Sequence, residues 1–336
     1  MANEQNVEFE HHTITISPGQ TAYRIDKFLT DRLPYTTRNK LQLAIENRLI
    51  LVNQQPIKPS YKIRPYDEVK VVLPIPPHTR EILPENIPLN IVYEDEALLI
   101  VNKPAGMVVH PGHNNWTGTL VNALVYHFTH LPTTANNEGR PGLVHRIDKG
   151  TSGLLVIAKT EESIMVLAKQ FYDHSIQRTY CALVWGEPNP EAGTVDINLD
   201  RSLEDRRIVA PYADPEQGRR AITHYQIIKR LRYVSLVKCN LETGRTHQIR
   251  AHMKHLGHPI FGDTSYGGNQ ILKRTHSSKY QTFVENCLQL MPHQALHAQS
   301  LGFIHPVTNQ PMYFEAPLPE DFQAVLEKWE NYAFYH

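Results

Sequence analysis

Residues Gly142 to Thr160, GLVHRIDKGTSGLLVIAKT, set a charged tetrapeptide between two apolar runs. Leu143-Val144 leads in and Leu154 to Ala158 leads out. Apolar runs bounded by turn residues predict buried strands. A buried strand end carries an acid and a guanidinium only where the two are compensated. The chain must therefore fold so that His145, Arg146 and Asp148 are accommodated together. A carboxylate beside a guanidinium favours its charged form. Such a group is either a structural ion pair that pins a loop, or an acid poised as nucleophile or general base. The tetrapeptide alone leaves both open.

Two further segments bear on that choice. Arg178 to Gly186 (RTYCALVWG) is a predicted strand whose Tyr180 follows a basic approach. A tyrosine there can stack on a base and donate from its hydroxyl, or simply half-bury as a strand aromatic. Leu241 to Asp263 follows a strand marked by alternating Val237, Cys239 and Leu241. Thr243-Gly244 predicts a turn. Thr246 is the expected cap of a helix from His247 to Leu256, with Gly257 ending it. Ile249, Met253 and Leu256 form its buried stripe, and His247, Arg250 and Lys254 share an adjacent face at i, i+3 and i+7. A basic face rising from a tight turn suits an acid or a phosphate. His247, His252, His255 and His258 do not have the i, i+4 spacing of a helical ligand pair, and no Glu stands among them, so no metal is expected.

Length and charge divide the remainder. The 336 residues are enough for about two domains. Formal net charge is zero, but Tyr23 to Arg80 holds eleven Lys or Arg against five acids, about +6. A basic module on a neutral chain points to docking on nucleic acid, or to a well-solvated face. Residues 1–22 are expected to be a leader with one strand from Thr13 to Ile16. Ile25, Phe28, Leu29 and Leu33 have helical spacing, and a second helix through Leu41, Ala44 and Ile45 can be capped by Thr36 or Thr37. Two strands and an alternating Val69, Val71, Leu73 strand follow. Residues 74–88 carry five prolines and predict a stiff linker. From residue 89 strands alternate irregularly with helices at Ser163 to His174, His247 to Leu256 and Glu320 to Ala333. That pattern predicts an α+β fold rather than regular βαβ units. Cys181, Cys239 and Cys287 are far apart with no CxxC, which argues against a disulfide framework or zinc site and fits a reducing compartment. The polar N-terminus shows no signal-peptide pattern, so a cytoplasmic protein is expected.

The basic module resembles the RNA-binding domain named after the fourth small-subunit ribosomal protein. Arg24-Ile25-Asp26-Lys27-Phe28-Leu29, Thr37-Arg38, Leu49 to Asn53 and Asp67 carry the resemblance. Asn47-Arg48 stands where the family usually has Gly, and Asn tolerates the left-handed backbone required there. The remaining chain resembles the RNA pseudouridine synthases, in the branch acting on large-subunit ribosomal RNA. His145-Arg146-Ile147-Asp148-Lys149-Gly150-Thr151-Ser152-Gly153 carries the branch signature, with Ile147 in place of Leu. Thr243 to His252 carries a second signature intact. Asn102 to Gly106 and His293 to Ala298 also look like the family. The resemblance spans about Tyr23 to Leu318.

That resemblance implies an α+β protein: a small α/β RNA-binding domain at 23–73, then a mixed, mainly antiparallel-sheet catalytic domain at 89–336. The implied reaction turns uridine in RNA into its carbon-linked isomer, without cofactor or metal. Asp148 would be the essential acid, attacking the ribose or the uracil ring or removing a sugar proton. Arg250 would pair with Asp148 and aim it. Tyr180 would stack on the target base, and Arg146 would fill the space that the flipped base leaves. The RNA contacts expected are Arg38, Lys40, His145, Arg245, His247 and Lys254. Thr151, Ser152 and Gly153 would let the chain turn away and the RNA backbone approach. A stem-loop uridine of large-subunit (23S) rRNA is the expected target, because an unpaired base costs less to extrude, and a monomer is expected. Rival readings are a synthase acting on tRNA, a non-catalytic ribosome-assembly factor, and a metal hydrolase using the histidine cluster.

Overall fold

The computed structural model describes residues 9–33, 38–74, 82–112, 115–128, 130–133, 140–202, 204–205, 207–214, 216–272 and 277–335. The chain divides into two compact units, Met1–Glu81 and Ile82–His336.

Among its described residues the first unit has two short helices and a four-stranded sheet. Helices α1 (Ile25–Thr30) and α2 (Arg38–Glu46) precede β2 (Ile50–Val52), β3 (Gln55–Pro56) and β4 (Glu68–Pro74), and β1 (Phe9–Thr15) precedes them all. The sheet order is β1-β4-β2-β3. Residues 9–15, expected to lie in a leader, are thus part of the sheet, with Phe9 opposite Pro74 and Thr15 opposite Glu68. The strand expected from Thr13 to Ile16 is present but starts earlier and runs from Phe9 to Thr15, where β4 is its partner. Ile25, Phe28, Leu29, Leu41, Ile45, Val69 and Val71 form the core. Asp26 is fully buried and ties the helices together: it accepts from Arg24, from Arg38 Nε at 2.8 Å and from Gln42 at 2.8 Å. The Arg24 hydrogen bond, aided by Gln42 and Arg38, holds this carboxyl far below the usual range despite its burial. The left-handed residue before β2 is Arg48 (φ 59°), not Asn47. Thr36 and Thr37, the expected caps of α2, lie outside the described residues.

The second unit is built on one large sheet. Its strands are β5 (Ile91–Glu94), β6 (Leu98–Lys103), β7 (Ser152–Ala158), β8 (Gln177–Trp185), β9 (Ala192–Arg201), β10 (Val209–Tyr212), β11 (Arg219–Leu231), β12 (Val234–Leu241), β13 (Leu296–Ile304) and β14 (Pro311–Glu315). They run in the order β10-β9-β11-β12-β8-β13-β7-β6-β5, with β14 on β13. Among the described residues every pair is antiparallel except β13–β7, so the sheet is mixed and mainly antiparallel. Helices α4 (Glu161–Tyr172), α5 (Gln248–His255) and α7 (Glu320–Tyr335) fall where helical spacing predicts them. Two more, α3 (Leu120–His127) and α6 (Ser278–Leu290), were not anticipated. α3 is buried over most of its length, so it lacks the polar stripe that marks a surface helix. Trp329 of α7 is fully buried and packs edge-on to Trp185, Phe261 and Phe283, seating α6 and α7 on the core.

The parallel β13–β7 contact positions the loop of interest. His297 lies opposite Ser152, and Ala298 opposite Gly153. Gly153 has φ +114°, and a Cβ there would sit 2.3 Å from the Ala298 carbonyl oxygen. Thr151 and Ser152 are buried, and they bond to Gln294 and His297. Ser152 and Gly153 therefore serve the close approach of β7 and β13.

Candidate active site

Asp148 lies in the loop between Leu143, which bridges to Ile157, and β7. Tyr180 stands on β8, opposite Ala298 of β13 and Cys239 of β12. Arg250 stands on α5, just after β12. A cavity of ≈ 580 Å³ is lined by all three, together with Arg146, Arg245 and His247. Residues 102 positions apart in sequence are joined there: Arg250 Nη1 donates to Asp148 Oδ2 at 3.0 Å.

Arg250 is itself held from behind. Its Nε and Nη2 donate to the two oxygens of Asp263 at 2.6 and 2.9 Å, and Asp263 is 1% exposed. Asp263 also accepts the backbone N–H groups of Ser265 and Tyr266, and the Tyr266 ring lies 4.9 Å under the guanidinium. Burial works against the charge on Arg250, but Asp263 and then Asp148 outweigh it and raise its pKa above that of a free guanidinium. A two-pronged carboxylate fixes the plane of a guanidinium, so Asp263 sets the direction from which Arg250 meets Asp148.

Tyr180 is 8% exposed, and its hydroxyl makes no hydrogen bond to the described residues. Burial raises its pKa, with Arg178 opposing and Asp148 adding a smaller push, so the phenol stays neutral. His247 carries φ 54° at the head of α5; its Nδ1 lies 3.1 Å from the Tyr266 hydroxyl and its Nε2 3.8 Å from Asp148 Oδ2. Burial lowers its pKa, with Asp148 opposing. His247 itself, in the left-handed region, occupies the position expected for Thr246 as helix cap, and no side chain caps the helix. Gln248 latches the turn instead, accepting from the Thr243 hydroxyl and the Arg245 N–H and donating to the Ile222 carbonyl. Gly257 ends the helix as predicted, with φ +81°.

The other predicted site residues scatter. Arg146 is exposed on the cavity wall. Arg245 lines the cavity while its Nε donates to the Arg220 carbonyl. His145 also lines it, but its ring stacks on Phe171 at 4.5 Å and its Nε2 accepts from the Val156 N–H. Burial, aided by Arg178, pulls its pKa down to about 3, so the ring is a neutral packing group. His247, Arg250 and Lys254 all lie around Tyr266, but not as one exposed basic face: Arg250 is buried, and Lys254 is exposed beside Tyr266 and Val209 in a separate hollow. Arg38 is paired with Asp26 and 45% exposed, and the side chain of Lys40 lies outside what is described. The histidines of the cluster point to separate partners, His252 to Thr223 and His258 to the Trp185 carbonyl. Among the described residues no three His, Cys, Asp or Glu side chains are placed to hold a metal ion.

Two residues with clear parts escaped the sequence reading. Asp263 closes the quoted Leu241–Asp263 segment, yet nothing local marks it as a partner of Arg250. Lys103, in the Asn102 to Gly106 segment, is 1% exposed. Its ammonium donates to the carbonyls of Pro104, Met107 and Lys149 at 2.7, 2.8 and 3.3 Å. It thereby ties the residue after Asp148 to β6. Burial pulls its pKa down to about 7, against the pull of Asp148.

One cavity thus joins an acid gripped by a buried, oriented guanidinium, a neutral tyrosine and several cations. Comparison with known proteins gives the class of protein. The family model for RNA pseudouridylate synthase matches residues 97–255, and that for the S4 domain matches residues 24–69. An uncharacterized RNA pseudouridine synthase of Chlorobaculum parvum is 47% identical over 319 residues, 94% of this chain and 97% of the relative. Ribosomal large subunit pseudouridine synthase D of Zymomonas mobilis is 43% identical over 318 residues, 94% of this chain and 96% of the relative. The solved structure of human RNA Pseudouridylate Synthase Domain Containing 4 covers 71% of this chain and 92% of its own, with a TM-score of 0.55 and 24% identity, a likeness of fold. The chain belongs to the RNA pseudouridine synthases, enzymes that isomerise uridine within RNA.

Proposed function

We propose that the substrate is large-subunit (23S) ribosomal RNA and that Asp148 is the essential acid. The observation that carries the second point is the chain Asp263–Arg250–Asp148, which fixes one carboxylate in a cavity shared with Tyr180. The reaction conserves atoms and electrons: the bond from ribose C1′ to N1 breaks, a bond from C1′ to C5 forms, C5 loses its hydrogen and N1 gains one. Such an isomerisation calls for a positioned carboxylate and proton transfers and for no cofactor. Asp148 acts on the flipped nucleotide, Arg250 aims it, Tyr180 stacks on the base, and Arg146 enters the space left in the RNA. Extruding a base from a stack costs a few kcal/mol, least in a loop, so a stem-loop uridine is the target.

The large-subunit assignment is supported by the relatives whose names carry it, including that of Haemophilus influenzae at 37% identity. The basic first unit would add salt-dependent, sequence-independent grip while the cavity chooses the base. The enzyme would work as a monomer in the cytoplasm. To test the target, large-subunit rRNA transcript and total tRNA are incubated separately with the protein and pseudouridines are mapped at nucleotide resolution. Discrete sites in the rRNA are expected; sites confined to tRNA would overturn the assignment.

A further inference from the structure

The cavity contains a second buried arginine, and the reaction as described does not use it. Arg178 is 8% exposed, lines the same cavity, and stands two residues before Tyr180 on β8. Alternate residues of a strand share a face, so Arg178 and Tyr180 present their side chains on the same side. A guanidinium has five N–H donors. Here Nε is buried without any partner, and Nη2 reaches only the Glu242 carbonyl, at a long 3.4 Å. No carboxylate lies within ion-pairing distance of Arg178 among the described residues; its one other compensation is the Phe171 ring, 5.5 Å from the guanidinium. Arg250, at similar burial, is met by two carboxylates.

A buried charge without an opposite charge is costly, and burial does pull the pKa of Arg178 below that of a free guanidinium, with Tyr180 opposing. The fold also keeps space for this group. A Cβ on Gly244 would come within 2.7 Å of Arg178 Nη1. Gly244 has no positive φ that would call for glycine on backbone grounds, and the Thr243-Gly244-Arg245 turn passes directly against the guanidinium. What is missing at Arg178 is an anion, and the anions that RNA brings into such a cavity are its phosphates.

We propose that Arg178 is a phosphate anchor, binding a backbone phosphate of the target nucleotide while Tyr180 faces its base. The inference rests on the reading of the cavity as the uridine site. Two strand residues span roughly 7 Å at 3.3–3.4 Å each, a reach comparable to that from a base to the phosphate of its own nucleotide. The phosphate then meets the terminal Nη groups of Arg178 and supplies the missing opposite charge, and the nucleotide is held at two ends before chemistry begins. Arg178 is a binding residue, not one that touches the reacting atoms.

The test compares wild type with Arg178→Gln, which keeps a polar side chain but no charge, and Arg178→Lys, which keeps the charge. Tritium release from 5-labelled uridine in large-subunit rRNA transcript supplies kcat and KM over a salt series. Arg178→Gln is expected to raise KM by about 10- to 100-fold, the range for a lost hydrogen bond to a charged group, with kcat within about threefold of wild type. Its slope of log KM against log salt should be shallower by about 0.7, the value for one phosphate contact on a single strand. Arg178→Lys should recover the slope and most of the KM. A neutral methylphosphonate placed in turn at each linkage flanking the modified uridine gives an arm that needs no stability assumption. At one linkage it should raise the wild-type KM and add nothing to that of Arg178→Gln. Unchanged KM and slope in Arg178→Gln, a loss confined to kcat, or strictly additive effects at every linkage would each overturn the anchor while wild type remains active. Absence of release by wild type itself would instead overturn the functional reading.

Discussion

Arg250 grips Asp263 with two nitrogens and Asp148 with one. The asymmetry divides the roles. Asp263, 1% exposed, is the fixed end, and Asp148, whose side chain is 19% exposed, is the end that faces the cavity.

Asp263→Asn should therefore damage both stability and catalysis. Breaking a buried ion pair by removing one partner costs about 3–5 kcal/mol, and Asp148 keeps part of the compensation, so the lower end is expected. Freed from its two-pronged hold, Arg250 would turn toward Asp148 and misplace it, lowering kcat about 10- to 100-fold with a smaller effect on KM. Denaturant midpoints and steady-state kinetics check this; a variant of wild-type stability and kcat would remove Asp263 from the account.

Lys103 supplies a pH-dependent prediction. Its folded pKa is pulled down to about 7 by burial, with Asp148 opposing, whereas an unfolded chain titrates near the ordinary lysine value. Between those values the unfolded state holds a proton that the folded state has released. Stability contributed by this group therefore rises with pH from about 7 to about 10, and is lost as pH falls back through 7. Lys103→Met should flatten that part of the stability profile relative to wild type, and should lower kcat by loosening the Lys149 carbonyl beside Asp148. Parallel profiles from pH 7 to 10 would contradict it.

Gly153→Ala tests the strand crossing that seats the Asp148 loop. A positive φ of this size costs a residue with a Cβ about 1–3 kcal/mol, and the added carbon would also meet the Ala298 carbonyl oxygen. A lowered melting temperature together with lowered activity is expected. A neutral substitution would mean that the β13–β7 contact is adaptable.

Asp148 between apolar runs, Tyr180 on a strand and Arg250 on an amphipathic helix were legible as candidates from short segments, and only the resemblance gave them roles. The structure brings these three to one cavity. Asp263 and Lys103 were not legible, because their roles depend on partners that meet only in the fold: Arg250 for the first, the Lys149 carbonyl for the second. The same reason explains why β1 starts at Phe9, ahead of the expected Thr13: its partner β4 lies more than 50 residues on. Helical spacing placed Lys254 beside Arg250 but could not show that one turn of α5 is buried and the next is exposed. The proposed anchor at Arg178 rests on an unmet donor that no sequence pattern records.

The most direct test of the central claim is tritium release from 5-labelled uridine in large-subunit rRNA, comparing wild type with Asp148→Asn. The account predicts release by wild type and none by Asp148→Asn, with RNA affinity retained because the cations of the cavity and of the first unit are untouched. Release by Asp148→Asn at a rate near wild type would contradict it.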